Sequence, residues 1–106
     1  MDWKNIKYKG IHIRRFVSVY DFVDRAYIPW PFKIKITEDE NGKFWGSVSL
    51  VIKDANGQPQ WIKESGDTEK ACLEKTLNTY LETVEKNPKG YDLDESDVVW
   101  STYKDF

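Results

Sequence analysis

Apolar and polar residues alternate most clearly from residue 32 onward, and the alternation predicts strands. Phe32, Ile34 and Ile36 are separated by lysines, which is the period-two pattern of a strand with one buried face. The same alternation returns over residues 44–53 and, more briefly, over residues 60–64. The pattern therefore predicts three strands in succession.

Two Asn-Gly pairs separate these segments, one at residues 41–42 and one at residues 56–57. Asparagine and glycine tolerate the positive φ that tight hairpins require, so each pair predicts a reversal of the chain. Three alternating segments joined by two such turns predict a three-stranded antiparallel meander.

The middle strand is predicted to present its residues alternately to two faces. The apolar face is expected to carry Phe44, Gly46, Val48, Leu50 and Ile52. The other face is expected to carry Trp45, Ser47, Ser49 and Val51. Lys33 and Lys35 of the first strand are expected to lie on the same polar, solvent-facing side of the sheet as Trp45.

One amphipathic helix is predicted after the meander, ending at about residue 86. Asp67 or Thr68 can cap its N-terminus, because a side-chain oxygen accepts from an unpaired backbone N–H there. An apolar stripe recurs at helical spacing and is expected to pack on the meander. The stripe consists of Leu73, Leu77, Tyr80, Leu81 and Val84.

The two ends of the chain are less regular. Residues 98–103 predict a short final strand after an acidic loop at residues 92–97. Residues 11–13 alternate like a strand, whereas residues 17–27 fit either a strand or a helix. The predicted fold class is α+β, with the order β-β-β-α-β after an N-terminal strand or helix extension.

The composition supports a single domain over residues 1–106, since 40% of the residues are hydrophobic and 15% are aromatic. We expect an extension over residues 1–31, a core over 32–86, and an acidic loop with a final strand over 87–106. The single cysteine, the lack of a secretory leader and the lack of a long apolar run favour a cytoplasmic protein without membrane contact.

The net charge is −2, but residues 1–35 hold 8 of the 16 basic residues and only 3 of the 18 acidic ones. Catalytic chemistry is poorly supported, because His12 is the only histidine and Cys72 lies beside the predicted apolar stripe. No zinc-ligand spacing, calcium loop or phosphate-binding glycine loop occurs. We expect no enzyme activity, no cofactor and no metal.

The middle of the chain resembles a known family. Residues 32–46, FKIKITEDENGKFWG, look like the first hairpin of HicB-type antitoxin domains, and residues 66–71, GDTEKA, resemble that family's entry into its helix. The resemblance covers about residues 32–86. It implies a β-β-β-α-β domain that dimerises and neutralises a small RNA-cleaving toxin.

The first functional hypothesis is a non-enzymatic protein-binding regulator, either antitoxin-like or an inhibitor encoded by a mobile element. Exposed aromatic rings and arginines are the usual anchors of such surfaces. The candidate contact residues are Tyr27, Trp30, Trp45, Trp61, Trp100, Arg14 and Arg15. The expected partner is another protein, with a second copy of the chain as a further candidate.

The alternative hypothesis is a nucleic-acid-binding module. Single-strand binders combine basic groups, which attract phosphates, with aromatic rings on which bases stack. The residues that fit this description are Lys33, Lys35, Arg14, Arg15 and Trp45.

Overall fold

The computed structural model describes residues 2–22, 30–90 and 92–101, and within them it has the predicted α+β architecture. One antiparallel sheet is packed by one helix, so the predicted fold class is confirmed. The elements of the described part are β1 (Arg14–Phe22), β2 (Phe32–Asp39), β3 (Phe44–Val48), β4 (Leu50–Ile52), β5 (Lys63–Gly66), α1 (Glu69–Lys86) and β6 (Val98–Trp100). Short 3₁₀ turns lie at Trp3–Asn5 and Glu95–Asp97.

The main sheet has the strand order β1-β2-β3-β5, and all of its pairs are antiparallel. The first predicted turn joins β2 to β3, and Gly42 adopts the positive φ of +81° that the turn requires. The carboxylate of Asp39 accepts from the backbone N–H groups of Asn41 and Lys43, which holds the turn closed. The predicted meander is therefore formed by β2, β3 and β5.

The N-terminal extension contributes β1, which pairs with β2 along its length. Of the two conformations left open for residues 17–27, the part up to Phe22 is a strand. Its register shifts between Phe16 and Ser18, so Val17 is the extra residue of a β-bulge. Residues 23–29 lie outside the described part of the chain.

The prediction of one continuous strand over residues 44–53 is wrong, because the chain changes partner at Ser49. The Ser49 N–H donates to the carbonyl of Lys33, whereas its own carbonyl accepts from the N–H of Ser101. The residues beyond it form β4, which pairs with β6 in a separate two-stranded sheet. Residues on both predicted faces of this stretch are consequently buried, including Ser49 and Val51.

The third predicted strand, residues 60–64, is displaced to Lys63–Gly66. The second turn forms at Gly57, with a φ of +78°, but it folds residues 54–60 back against β4 rather than β3. Trp61 and Ile62 therefore lie outside any strand. The side chain of Trp61 is 61% exposed, whereas Ile62 packs against the core.

The helix begins after Thr68, whose side-chain oxygen accepts from the N–H of Ala71 at 3.0 Å. The predicted stripe is rotated by about one position, since Leu73, Leu77 and Leu81 are only half-buried. The helix residues that are fully covered are Cys72, Thr76, Tyr80 and Val84.

Two glycines of the sheet explain this rotation. A Cβ at Gly46 would overlap Oγ1 of Thr76, and one at Gly66 would lie 2.7 Å from the backbone nitrogen of Cys72. The helix therefore rests its small side chains, rather than its leucines, directly on the strands.

The predicted final strand is observed as β6, although residues 102–106 lie outside the described part. In the loop before it, the Nζ of Lys89 contacts carboxylate oxygens of Asp94 at 3.3 Å and Asp97 at 2.9 Å. None of the helices in the described residues has the length and apolar character of a membrane span.

Candidate nucleic-acid interface

The four-stranded sheet has two chemically different faces, because successive residues of each strand point to opposite sides. Ile34 and Ile36 of β2 belong to the core that includes Cys72 and Tyr80 of α1. We call the opposite side the open face. By the strand register it carries Arg14, Phe16, Val19, Asp21, Lys33, Lys35, Thr37, Asp39, Trp45, Ser47, Lys63 and Ser65.

A groove of about 250 Å³ lies on the open face. Its described lining consists of Arg14, Lys35, Thr37, Trp45, Gly46, Ser47 and Lys63. These residues supply three cations, two hydroxyls and one indole, and none of them carries a carboxylate. The composition fits an anionic ligand with a planar apolar part.

Trp45 is contacted both at the edge of its ring and over the ring. Its Nε1 donates to Oδ2 of Asp39 at 2.8 Å. The guanidinium carbon of Arg14 lies 4.8 Å from the indole centroid, and the Nζ of Lys43 lies 5.7 Å from it. These cation–π contacts place the planar guanidinium over the ring before any ligand binds.

Asp39 supplies the carboxylate that contacts Trp45, and N–H donors stabilise its ionised form. Partial burial opposes ionisation, but the hydrogen bonds from the Trp45 indole and from the N–H groups of Lys43 and Asn41 lower the pKa of Asp39. Its carboxylate therefore serves to orient Trp45 and to close the β2–β3 turn.

A row of three side chains crosses the groove. Ser47 of β3 stands opposite Lys35 of β2 on one side and opposite Lys63 of β5 on the other. Burial, and then the nearby charge of Lys63, lower the pKa of Lys35.

The structure brings three of the residues proposed for nucleic-acid contact into this groove, namely Arg14, Lys35 and Trp45. Lys33 lies on the same face, where its Nζ contacts Oδ1 of Asp21 at 2.7 Å. Arg15 points to the other face, and its guanidinium donates to Oε1 of Glu38 at 2.9 Å.

Sequence reasoning missed Lys63, Thr37 and Ser47 as groove residues. Alternation alone assigns Thr37 and Ser47 to the polar face, so a signal existed for these two. Lys63 joins them only through the register of β5, which begins three residues later than the predicted third strand.

The residues proposed for protein contact do not form one face in the described structure. Trp30 and Trp100 meet edge to face with their centroids 6.3 Å apart, and Trp100 is 53% exposed. Trp45 lies in the groove, and Trp61 lies in the segment before β5. Tyr27 is outside the described residues.

The two side chains considered for catalysis lie outside the described lining of the groove. His12 is exposed, with its Nδ1 3.1 Å from Oε1 of Glu40. Cys72 is fully buried, as predicted for a core residue, and burial raises the pKa of its thiol. No cluster of metal-ligating side chains occurs in the part of the chain that the structure describes.

Comparison with protein-family models, with curated proteins and with solved structures finds no match for this chain. The resemblance to HicB-type antitoxin domains therefore stays a prediction.

Proposed function

We propose that this chain is a non-enzymatic module that binds single-stranded nucleic acid on the open face of its sheet. The observation that carries the proposal is the groove itself, which combines three cations with an indole and has no carboxylate in its described lining. A cytoplasmic location, where such ligands are accessible, accompanies this proposal.

The two ends of the groove suit different parts of a nucleotide. The lysines and the Ser47 hydroxyl suit a phosphate, because ammonium and hydroxyl groups both donate hydrogen bonds to phosphate oxygens. The stacked pair of Arg14 and Trp45 suits an unpaired base, since bases stack on indole and on guanidinium planes. Such stacking contributes about 1–3 kcal/mol per base.

A duplex fits this groove less well than a single strand. Its bases are already stacked and paired, so the stacking contribution would be lost and only phosphate contacts would remain. If the two lysines meet phosphates, the salt slope of single-strand binding is about −1.4, which is roughly 7-fold weaker binding between 50 and 200 mM salt.

The test is a fluorescence titration of the chain with a thymidine oligonucleotide at the two salt concentrations. We expect quenching of tryptophan emission, the salt dependence above, and weaker binding to a duplex of the same length. An affinity that does not change with salt concentration, or the absence of binding at 50 mM salt, would contradict the proposal.

Paired charge variants identify the surface that binds. The variant Lys35→Gln/Lys63→Gln removes two groove cations, whereas Lys70→Gln/Lys86→Gln removes two cations from the exposed side of α1. Both lower the net charge equally, so a general electrostatic effect would weaken binding equally. We expect a loss of affinity in the groove variant alone.

A protein-binding regulator, antitoxin-like or encoded by a mobile element, is a second candidate function. It is favoured by the pair of Trp30 and Trp100, because Trp100 keeps 53% of its surface exposed while its ring is oriented by a neighbour. Capture of a specific partner that is lost in Trp100→Ala but retained in Trp45→Ala would support this function over nucleic-acid binding.

A further inference from the structure

The outer edge of β1 offers backbone groups for pairing. The N–H of Asp39 donates to the carbonyl of Lys43, on the β3 side. Because the backbone groups of successive strand residues point to opposite sides, those of Glu38 and of every second residue before it point toward β1. Their partners in β1 bond inward. The N–H and C=O groups of Arg14, Phe16, Val19 and Asp21 consequently point away from the sheet, and no backbone hydrogen bond reaches them within the described residues.

An edge strand of nine residues is long for an unprotected edge. β1 contains neither a proline nor a lysine, which are common devices against edge pairing. The devices that β1 does carry are its charged residues Arg14, Arg15 and Asp21 and the bulge at Val17. The bulge inserts two residues between the outward-pointing Phe16 and Val19. A strand without a bulge has only one residue between two residues that point to the same side. If such a strand paired with β1, it would therefore lose register at the bulge.

A second copy of β1 carries the same bulge and therefore keeps register. In an antiparallel arrangement about a two-fold axis, Arg14 would stand opposite Asp21 of the second copy, and Phe16 opposite Val19 of the second copy. All four residues have outward backbone groups, so each pair can exchange two hydrogen bonds. All four also lie on the open face, so the side chains of each pair meet on the same side.

The side chains of these pairs are complementary. Arg14 and Asp21 carry opposite charges, and Asp21, already 2.7 Å from Lys33, would lie between two cations. Phe16 is 52% exposed and would gain an apolar neighbour in Val19 of the second copy. The two-fold axis generates each pair twice, as a self-complementary interface requires.

We infer that two copies of the chain associate through β1 to form one continuous eight-stranded sheet. The two open faces become a single surface, and the groove occurs once on each half. The interface and the groove share Arg14. The mass of the ligand-free chain therefore tests the inference, and oligonucleotide binding tests the proposed function separately.

The mass of the ligand-free chain in solution, measured by sedimentation equilibrium at about 1–100 µM, tests this interface. We expect a species of twice the 12.5 kDa chain mass at the higher concentrations. The variant Asp21→Arg would bring like charges together and should remain monomeric, as should Arg14→Asp. The double exchange Arg14→Asp/Asp21→Arg should restore the dimer.

Val19→Pro supplies an independent test, because it removes an outward N–H and leaves the pairing with β2 unchanged. We expect a monomer with an unchanged circular dichroism spectrum. If this variant does not fold, the charge exchange decides alone. A wild-type chain that is monomeric throughout, a dimer that persists in both single charge variants, or a double exchange that stays monomeric would overturn the inference.

Discussion

The two faces of the four-stranded sheet are built from the same strands but differ in how far they tolerate substitutions. On the helix side, Ile34 and Ile36 are 0% exposed, and glycines at 46 and 66 leave no room for a methyl group. On the open face, Lys35, Trp45 and Lys63 line a groove that reaches solvent. One face therefore determines stability and the other presents charge, so substitutions should separate the two properties.

The largest effect is expected for Gly66→Ala on the helix side. The new Cβ would lie 2.7 Å from the backbone nitrogen of Cys72, and backbone cannot move aside as a flexible side chain does. We expect a loss of about 3 kcal/mol in the free energy of unfolding, measured in urea. An unchanged stability would mean that α1 does not approach β5 this closely.

Gly46→Ala should be milder and partly reversible, because its new Cβ would meet the side chain of Thr76 rather than backbone. We expect a loss of about 2 kcal/mol, with part of it regained in the double variant Gly46→Ala/Thr76→Ala. Urea unfolding of the four combinations gives the coupling between the two sites. Strict additivity would contradict the contact.

On the open face, Lys35→Gln and Lys63→Gln should change affinity and leave the fold intact. Each variant should weaken oligonucleotide binding by about 10-fold at 50 mM salt and reduce the salt slope by about 0.7, because one phosphate contact is lost. The free energy of unfolding should stay within about 0.5 kcal/mol of wild type. Stability that falls in parallel with affinity would contradict the separation of the two faces.

The smallest effect on stability is expected at the hydrogen bonds that join β1 to α1. The hydroxyls of Ser18 and Tyr20 donate to Oε1 of Glu69, and these bonds, that from Ser18 first, lower the pKa of Glu69 below its usual 4.5. The carboxylate therefore stabilises the fold above about pH 4.5, and this contribution is lost as the pH falls through the lower folded-state pKa.

Replacing the carboxylate of Glu69 tests how its contribution to stability depends on pH. Glu69→Gln should be less stable than wild type by about 1 kcal/mol at pH 7, and the difference should shrink as the pH falls below 4.5. Glu74→Gln on the exposed side of α1 is the matched control. A gap between Glu69→Gln and wild type that does not narrow in acid would contradict the hydrogen-bonded carboxylate.

The parts of the fold that follow from local sequence could be predicted. The alternation after Phe32, the turn at Asn41-Gly42 and the helix cap at Thr68 each depend on residues a few positions apart. The break at Ser49 could not be predicted, because it depends on Ser101, which is distant in sequence. Alternation alone would have carried the strand straight on.

The candidate site was predictable only in part for the same reason. Lys35 and Trp45 share a face by alternation, and Arg14 joins them once β1 pairs with β2. Arg15 could not be distinguished from Arg14 until the register placed it beside Glu38. Lys63 enters the groove through the register of β5, and local pattern does not encode that register.

The most direct test of the separation between the faces is an NMR titration of the isotope-labelled chain with a thymidine oligonucleotide at 50 mM salt. We expect the largest shifts at the indole N–H of Trp45 and at the amides of Lys35, Ser47 and Lys63. The indole of Trp100 and the amides of α1 should stay in place. Shifts concentrated at Trp30 and Trp100 or along α1, or no shifts anywhere, would contradict binding on the open face.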